Sequence, residues 1–170
     1  MTACAFVGLG SNLDQPVVQI RRGYEALAAL PESRLVAESP LYKNDAVGPT
    51  PQPPFVNGVA EIETTLSPHG LLNALLDAER IMGRRRDGSR WGPRTIDLDL
   101  LTHGDCEIQD DDLTLPHPEI SRRRFVLLPL RDIAPDLVIP GYGPIDALLS
   151  QAPPHPMQRC SSSDCSLGAE

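Results

Sequence analysis

The sequence lacks the marks of several protein classes. Its four cysteines, Cys4, Cys106, Cys160 and Cys165, form no CxxC pair and have no histidine at zinc-finger spacing, so neither a disulfide framework nor a structural zinc site is supported. The only lysine is Lys43 and no GxxxxGK[ST] occurs, which excludes a P-loop enzyme. GLGSNL supplies Gly8 and Gly10 but no third glycine at position 13, so a dinucleotide-binding fingerprint fails and these glycines read as turn formers. No apolar run approaches a membrane span. The first residues, MTACAFVGLGSN, lack a basic leader, and no signal peptide is expected. These absences predict a cytoplasmic protein with reduced thiols.

What is present fits one globular domain. The chain has 170 residues, 41% hydrophobic and 22% charged, enough for a real core and unlike a disordered chain. The net charge is -8, which argues against nucleic acid as a partner. Arg80 to Asp99 is the local exception: six arginines stand against Asp87, Asp97 and Asp99, a balance of +3, leaving -11 for the remainder. Such a concentration suits a small polyanion.

Along the chain, Ala3 to Leu9 reads as a strand. Asp14 and Pro16 open a helix carrying Val17, Ile20, Tyr24, Leu27 and Leu30 at helical spacing, stopped by Pro31. Leu35 to Ala37 is a possible strand, and the proline-rich SPLYKNDAVGPTPQPP a loop. Phe55 to Glu63 alternates as a strand, with Val56, Ala60 and Ile62 on one face and Phe55, Asn57, Val59, Glu61 and Glu63 on the outward face. Ser67 and Pro68 open a second helix, with Gly83 as its stop. RRRDGSRWGPR is a loop that two glycines and a proline make able to move, and Thr95 to Leu101 is a strand. Phe125 to Leu130 is apolar and expected to be buried. From Gln151 onward the composition predicts a flexible tail. Two helices and several strands, some adjacent in sequence, predict an α+β sandwich with helices on a mostly antiparallel sheet.

The strongest chemical signal is RTIDLDLL, Arg94 to Leu101. As a strand it turns Ile96, Leu98 and Leu100 inward and Asp97 and Asp99 together the other way, about 7 Å apart at a rise of about 3.3 Å per residue. That pair can grip magnesium ions bridged by phosphate oxygens. A solvated polar face on an edge strand is the plainer account of D-x-D alone. Arg84, Arg86, Arg90 and Arg94 close by change the balance, because guanidinium forks match phosphate oxygens. Phe55 and Asn57 place an aromatic plane and an amide two residues apart, suited to a flat heterocycle. Trp91 sits poorly as core in a basic loop, and His117, between prolines, suits a phosphate or hydroxyl contact.

The order GSNL, SPLY, FVNGV, RWGPRTIDLDLL, LPHP and RFVLLPL resembles the 6-hydroxymethyl-7,8-dihydropterin pyrophosphokinases of folate biosynthesis. The resemblance implies transfer of a pyrophosphoryl group from ATP to the pterin hydroxymethyl group, AMP as the other product, two magnesium ions, and a monomer of ferredoxin-like α+β fold. The resemblance covers about residues 5–140, within a pyrophosphokinase domain expected over residues 1–150, and the flexible tail expected from composition over 151–170 matches no part of it. Asp97 and Asp99 resemble the magnesium-bridging carboxylates, and Arg84 and Arg86 the mobile-loop arginines that engage ATP. Trp91 is similar to a lid residue over the pterin, with Arg94 beside both substrates. Phe55 and Phe125 resemble the aromatic pair around the pterin, Asn57 the amide reading its edge, and Asn44 and Val47 the contacting loop. Glu79, Leu100, Thr114, His117 and Arg123 fall at nucleotide-binding positions. The sequence departs where Phe55 replaces a familiar tyrosine, Leu76 a glutamine and Asp112 an arginine. Three other readings keep some of these residues: an RNA-binding module using Trp91 as a stacking platform, a magnesium-dependent phosphotransferase yielding ADP, and a silent pterin binder.

Overall fold

The computed structural model describes residues 2–13, 15–45, 51–83 and 96–160. In chain order the elements are β1 (Ala3–Ser11), α1 (Pro16–Ala28), β2 (Ser33–Glu38), β3 (Tyr42–Asn44), β4 (Phe55–Thr64), α2 (Pro68–Ile81), β5 (Asp97–His103), β6 (Ile108–Gln109) and β7 (Thr114–Leu115). A short 3-10 turn at Ile120–Arg122 leads to α3 (Arg124–Ile133), β8 (Val138–Ile139), β9 (Gly143–Pro144), α4 (Ile145–Gln151) and β10 (Met157–Arg159).

Six strands form one antiparallel sheet in the order β10-β3-β4-β1-β5, with β2 also on β4. The ten residues of β4 give it enough length to hold two partners end to end on one edge. Residues 60–64 pair with β2, and residues 55–57 pair with β3. Its other edge runs the full length of β1.

Two apolar clusters sandwich this sheet. On one face Val17, Ile20, Tyr24 and Leu27 of α1 and Leu71, Leu75 and Ala78 of α2 meet Ala5, Val7, Leu9, Ala60, Ile62, Leu98 and Leu100. These are the stripes that helical spacing and strand alternation predict. Both helices start on Pro at N1/N2, and Ser67 caps α2 by accepting from the Gly70 N–H at 3.0 Å.

On the opposite face, Val126, Leu127 and Leu130 of α3 and Ile145, Leu148 and Leu149 of α4 bury Phe6, Val59 and Leu101. The outward face expected for β4 is therefore covered at its centre, where Val59 is fully buried. Among the described residues there are four α-helices where two were expected. Pro129 lies inside α3 and removes one i→i−4 bond there, which hides that helix from its sequence. The turn role expected for Gly8 and Gly10 is also corrected, since both lie within β1, paired with Val59 and Asn57.

The tail expected from Gln151 does not describe residues 151–160. Met157, Gln158 and Arg159 pair with Asn44, Lys43 and Tyr42, and the Cys160 N–H donates to Leu41 O at 2.8 Å. Three residues carry too little pattern to announce a strand, and its partner, β3, is equally short.

One glycine in the sheet has a packing reason. A Cβ on Gly58 would fall 2.8 Å from Leu41 Cδ2 and closer still to Tyr24 Oη. Tyr24 is buried and its hydroxyl donates to Ser39 O at 3.4 Å, so it has little room to retreat. Gly58→Ala is expected to lower stability by about 1–3 kcal/mol through overpacking, measured as the shift of the urea unfolding midpoint.

Candidate active site

The register of three strands composes the site. Asn57 of β4 stands opposite Gly10 of β1, which stands opposite Asp97 of β5. One row further along, Val59, Gly8 and Asp99 align in the same way. Directly opposed residues share a face, as do residues two apart on one strand. Phe55, Asn57, Gly10, Gly8, Asp97 and Asp99 therefore all belong to one face. Adjacent strands lie about 4.8 Å apart, so the amide row and the carboxylate row are separated by roughly 10 Å.

The glycines keep the space between the rows bare. A Cβ on Gly10 would stand 2.8 Å from Asn57 Oδ1 and 3.9 Å from the Phe55 ring. Asn57 is itself buried, at 6% exposure, and its Nδ2 donates to Asn44 Oδ1 on β3. That bond fixes the amide's orientation, leaving Oδ1 over Gly10 as an acceptor for a donor-bearing ring edge. Asn44 is held in turn, its Nδ2 donating to Asp45 O at 3.0 Å.

Asp97 and Asp99 are half-buried, on one face as the alternation of RTIDLDLL requires. Two hard carboxylate oxygens at this spacing suit magnesium, which takes one or two carboxylates and completes its shell with water and phosphate oxygens. Among the described residues β5 lies at one end of the sheet, so one row of its backbone groups lacks a strand partner. Glu79 of α2, only 3% exposed, accepts from the Leu98 N–H at 2.7 Å through Oε2. Among the described residues this places Glu79 beneath β5, as a support for the strand that carries the carboxylates. Leu100 lies in the core below the same strand, so its side chain points away from the carboxylate face.

Beyond β5, the His117 N–H donates to Leu101 O at 2.9 Å and ties the LPHP segment to the strand. The Glu119 N–H donates to His117 Nδ1 at 3.1 Å, so the proton of a neutral ring sits on Nε2 and is available to an acceptor. Burial first, then the Arg123 charge, pushes the His117 pKa down to about 4, against a smaller opposing effect of Glu119. Of the three consecutive arginines, Arg122 pairs with Glu119 at 2.8 Å and Arg124 donates to Leu149 O at 2.9 Å. Arg123 is the one turned to His117 and to the Phe125 ring, whose centroid lies 5.7 Å from its guanidinium carbon. Thr114 is half-buried on β7. Asp112 is exposed and closes a turn, its N–H donating to Asp110 Oδ1 at 2.9 Å.

The structure thus gathers Asn44, Phe55, Asn57, Asp97 and Asp99 on one face, with His117 at the edge of β5 and Arg123 and Phe125 at the start of α3. Val47, Arg84, Arg86, Arg90, Trp91 and Arg94 lie outside the described residues. Sequence reasoning missed Tyr42, opposite Asn57 in the sheet, whose hydroxyl donates to Asp132 at the C-terminal end of α3. Burial and that carboxylate raise its pKa to about 12. It also missed Asn12, whose Nδ2 donates to Gln52 Oε1 at 2.8 Å and Pro53 O at 3.0 Å, anchoring the end of β1 to the loop before β4. No local pattern marks either residue, because both partners are distant in sequence.

The depressed His117 pKa has a consequence for stability. The unfolded histidine titrates near 6.5, so between there and about 4 the unfolded chain binds the proton more readily than the folded one. This contribution is present above pH 6.5 and is lost as the pH falls toward 4. Compared with His117→Gln, the wild type should lose about 3 kcal/mol more between pH 7 and pH 4, read from urea unfolding at each pH.

Comparison with known proteins agrees with the motif order. Residues 6–135 match the family model of 7,8-dihydro-6-hydroxymethylpterin-pyrophosphokinase (HPPK). The 2-amino-4-hydroxy-6-hydroxymethyldihydropteridine pyrophosphokinase of Pseudomonas aeruginosa is 49% identical over 148 residues, covering 87% of this chain and 91% of that protein. The protein of the same name from Haemophilus influenzae is 45% identical over 153 residues, covering 90% and 95%. A crystal structure of HPPK-DHPS in complex with substrates shares the fold, with a TM-score of 0.69 at 14% identity over 87% of this chain. This chain spans 43% of that longer one. The antiparallel α+β sandwich agrees with the expected fold class, and the shared motifs and the extent of these matches place the chain in the 7,8-dihydro-6-hydroxymethylpterin-pyrophosphokinase family.

Proposed function

We propose that this chain transfers the pyrophosphoryl group of ATP to the hydroxymethyl group of 6-hydroxymethyl-7,8-dihydropterin in folate biosynthesis. Family membership supports the reaction. The observation that carries its location is the single sheet face on which Asn57, bare Gly10 and Asp97 align. One end of that face offers an aromatic ring and amides, and the other offers carboxylates.

In this reading, Phe55 and Phe125 hold the pterin ring and the Asn57 carbonyl oxygen accepts from its edge, with Asn44 locking the amide. Val47 adds to the pterin contacts, and Trp91 closes over the ring. Gly10 lets the ring lie flat against β1. Asp97 and Asp99 hold the magnesium, as two ions, which when bound supplies charge neutralisation for the triphosphate oxygens.

Arg84, Arg86, Arg94 and Arg123 contact phosphate oxygens, and neutral His117 donates from Nε2. Thr114 and the backbone at Leu100 complete the nucleotide contacts, while Glu79 acts through β5. The pterin hydroxyl oxygen attacks the β phosphorus, the bond from that phosphorus to the α,β-bridging oxygen breaks, AMP leaves and the hydroxyl proton passes to solvent. Alignment and charge stabilisation supply most of the rate.

We place the reacting groups in one domain ending near residue 150, with residues 157–159 added to its sheet. A monomer in the cytoplasm is the accompanying proposal. No helix among the described residues is long and apolar enough to cross a membrane.

Phosphorus NMR of the protein with ATP, magnesium and 6-hydroxymethyl-7,8-dihydropterin should show AMP and a pterin diphosphate appearing together. ADP as product would overturn the two-phosphate transfer. Asp97→Ala should lower kcat by roughly a thousandfold with unfolding unchanged, and wild-type turnover in that variant would remove the metal assignment. Gly10→Ala should raise the KM for the pterin by about tenfold or more while leaving the KM for ATP near its original value. Equal effects on both would place the pterin elsewhere.

A further inference from the structure

The segment that follows α4 reaches the pterin end of the site. Strand β10 pairs with β3, setting Met157 opposite Asn44, which itself stands opposite Phe55. Just before that strand, His155 meets three parts of the same wall. Its ring lies edge-on to the Phe125 ring, with centroids 5.5 Å apart and planes at 82°. Its Nε2 is 3.1 Å from Asp45 O and 3.4 Å from Asn44 Nδ2.

The chemistry of these partners fixes the proton. A carbonyl oxygen only accepts, so Nε2 carries a hydrogen and donates to Asp45 O. The approach to Asn44 Nδ2 is then one donor beside another, both converging on the Asp45 carbonyl, since Asn44 Nδ2 also donates there at 3.0 Å. Asn44 Oδ1 is thereby left facing the Asn57 amide. His155 thus links, in one side chain, the aromatic ring at the start of α3, the backbone after β3 and the two-amide relay that ends over Gly10.

We propose that His155 is a positioning residue for the pterin, setting the Phe125 ring and the Asn44–Asn57 amide pair in their binding arrangement from a segment beyond the main domain. The proposal rests on the reading of Phe125 and Asn57 as pterin-binding groups. The edge-on ring contact is the geometry aromatic pairs favour, and the donor to Asp45 O limits how the backbone beside Asn44 can move. Neither contact touches the carboxylate row, so binding of ATP does not depend on it.

Steady-state kinetics of the full chain, with ATP, magnesium and 6-hydroxymethyl-7,8-dihydropterin varied in turn, tests this against Phe125→Ala. His155→Ala should raise the KM for the pterin about tenfold, while kcat and the KM for ATP stay within about twofold and the melting temperature is unchanged. His155→Gln, which keeps a donor, and His155→Phe, which keeps the ring, should each recover part of the loss. An unchanged pterin KM in His155→Ala beside a raised one in Phe125→Ala overturns the role of His155 and leaves the site standing. Unchanged values in both overturn the pterin wall itself. A joint fall of kcat, ATP affinity and melting temperature in His155→Ala assigns the residue to the fold alone and overturns the proposal.

Discussion

The pairing of β1 between β4 and β5 is the constraint on which everything else depends. Strand side chains alternate with a period of two, so a slip of one residue would turn every group to the other face. In the observed register Asn57, Gly10 and Asp97 form one row and Val59, Gly8 and Asp99 the next. The register is held because both faces of these strands are apolar where they meet helices. Ala5, Val7, Leu9, Leu98 and Leu100 are buried under α1 and α2, while Phe6, Val59 and Leu101 are buried under α3 and α4. A one-residue slip would drive Asp97 and Asp99 into the first cluster, where an unpaired charge is prohibitive.

The two layers of helix do different work. The α1 and α2 layer supplies most of the enclosed apolar surface, and through Glu79 it also reaches the backbone of the outermost strand. An edge strand is the natural place for the carboxylates, since groups there can meet solvent and an incoming charged substrate. Among the described residues it has one strand partner, β1. A buried carboxylate accepting one of its N–H groups offsets that shortage with a charge-assisted bond.

The α3 layer covers the centre of the other face and leaves its flanks for chemistry. Phe125 and Arg123 stand at the start of α3, and Tyr42 reaches Asp132 further along it, so one helix borders the amide end of the face. The strand after α4 closes that end from the side through its pairing with β3. Asn44, with partners in β4 and in the residue after itself, is where these pieces meet.

Much of this was legible in the chain itself. The alternation of RTIDLDLL set Asp97 and Asp99 on one face, and the apolar stripes of α1 and α2 and the span of β4 were visible as periodicity. The motif order indicated the family before any geometry was known. What stayed hidden had physical causes. Pro129 interrupts α3, β10 and β3 are too short for a period to show, and Glu79 carries no local sign that it meets the Leu98 N–H of a distant strand. Arg122, Arg123 and Arg124 are identical in type, and only their neighbours Glu119, His117 and Leu149 tell them apart. The sequence by itself therefore determined the elements and the chemistry available to them, because period and residue type are local properties. The tertiary structure alone decided which groups face one another, because strand register, helix coverage and the return of residues 155–160 to β3 join segments far apart in the chain.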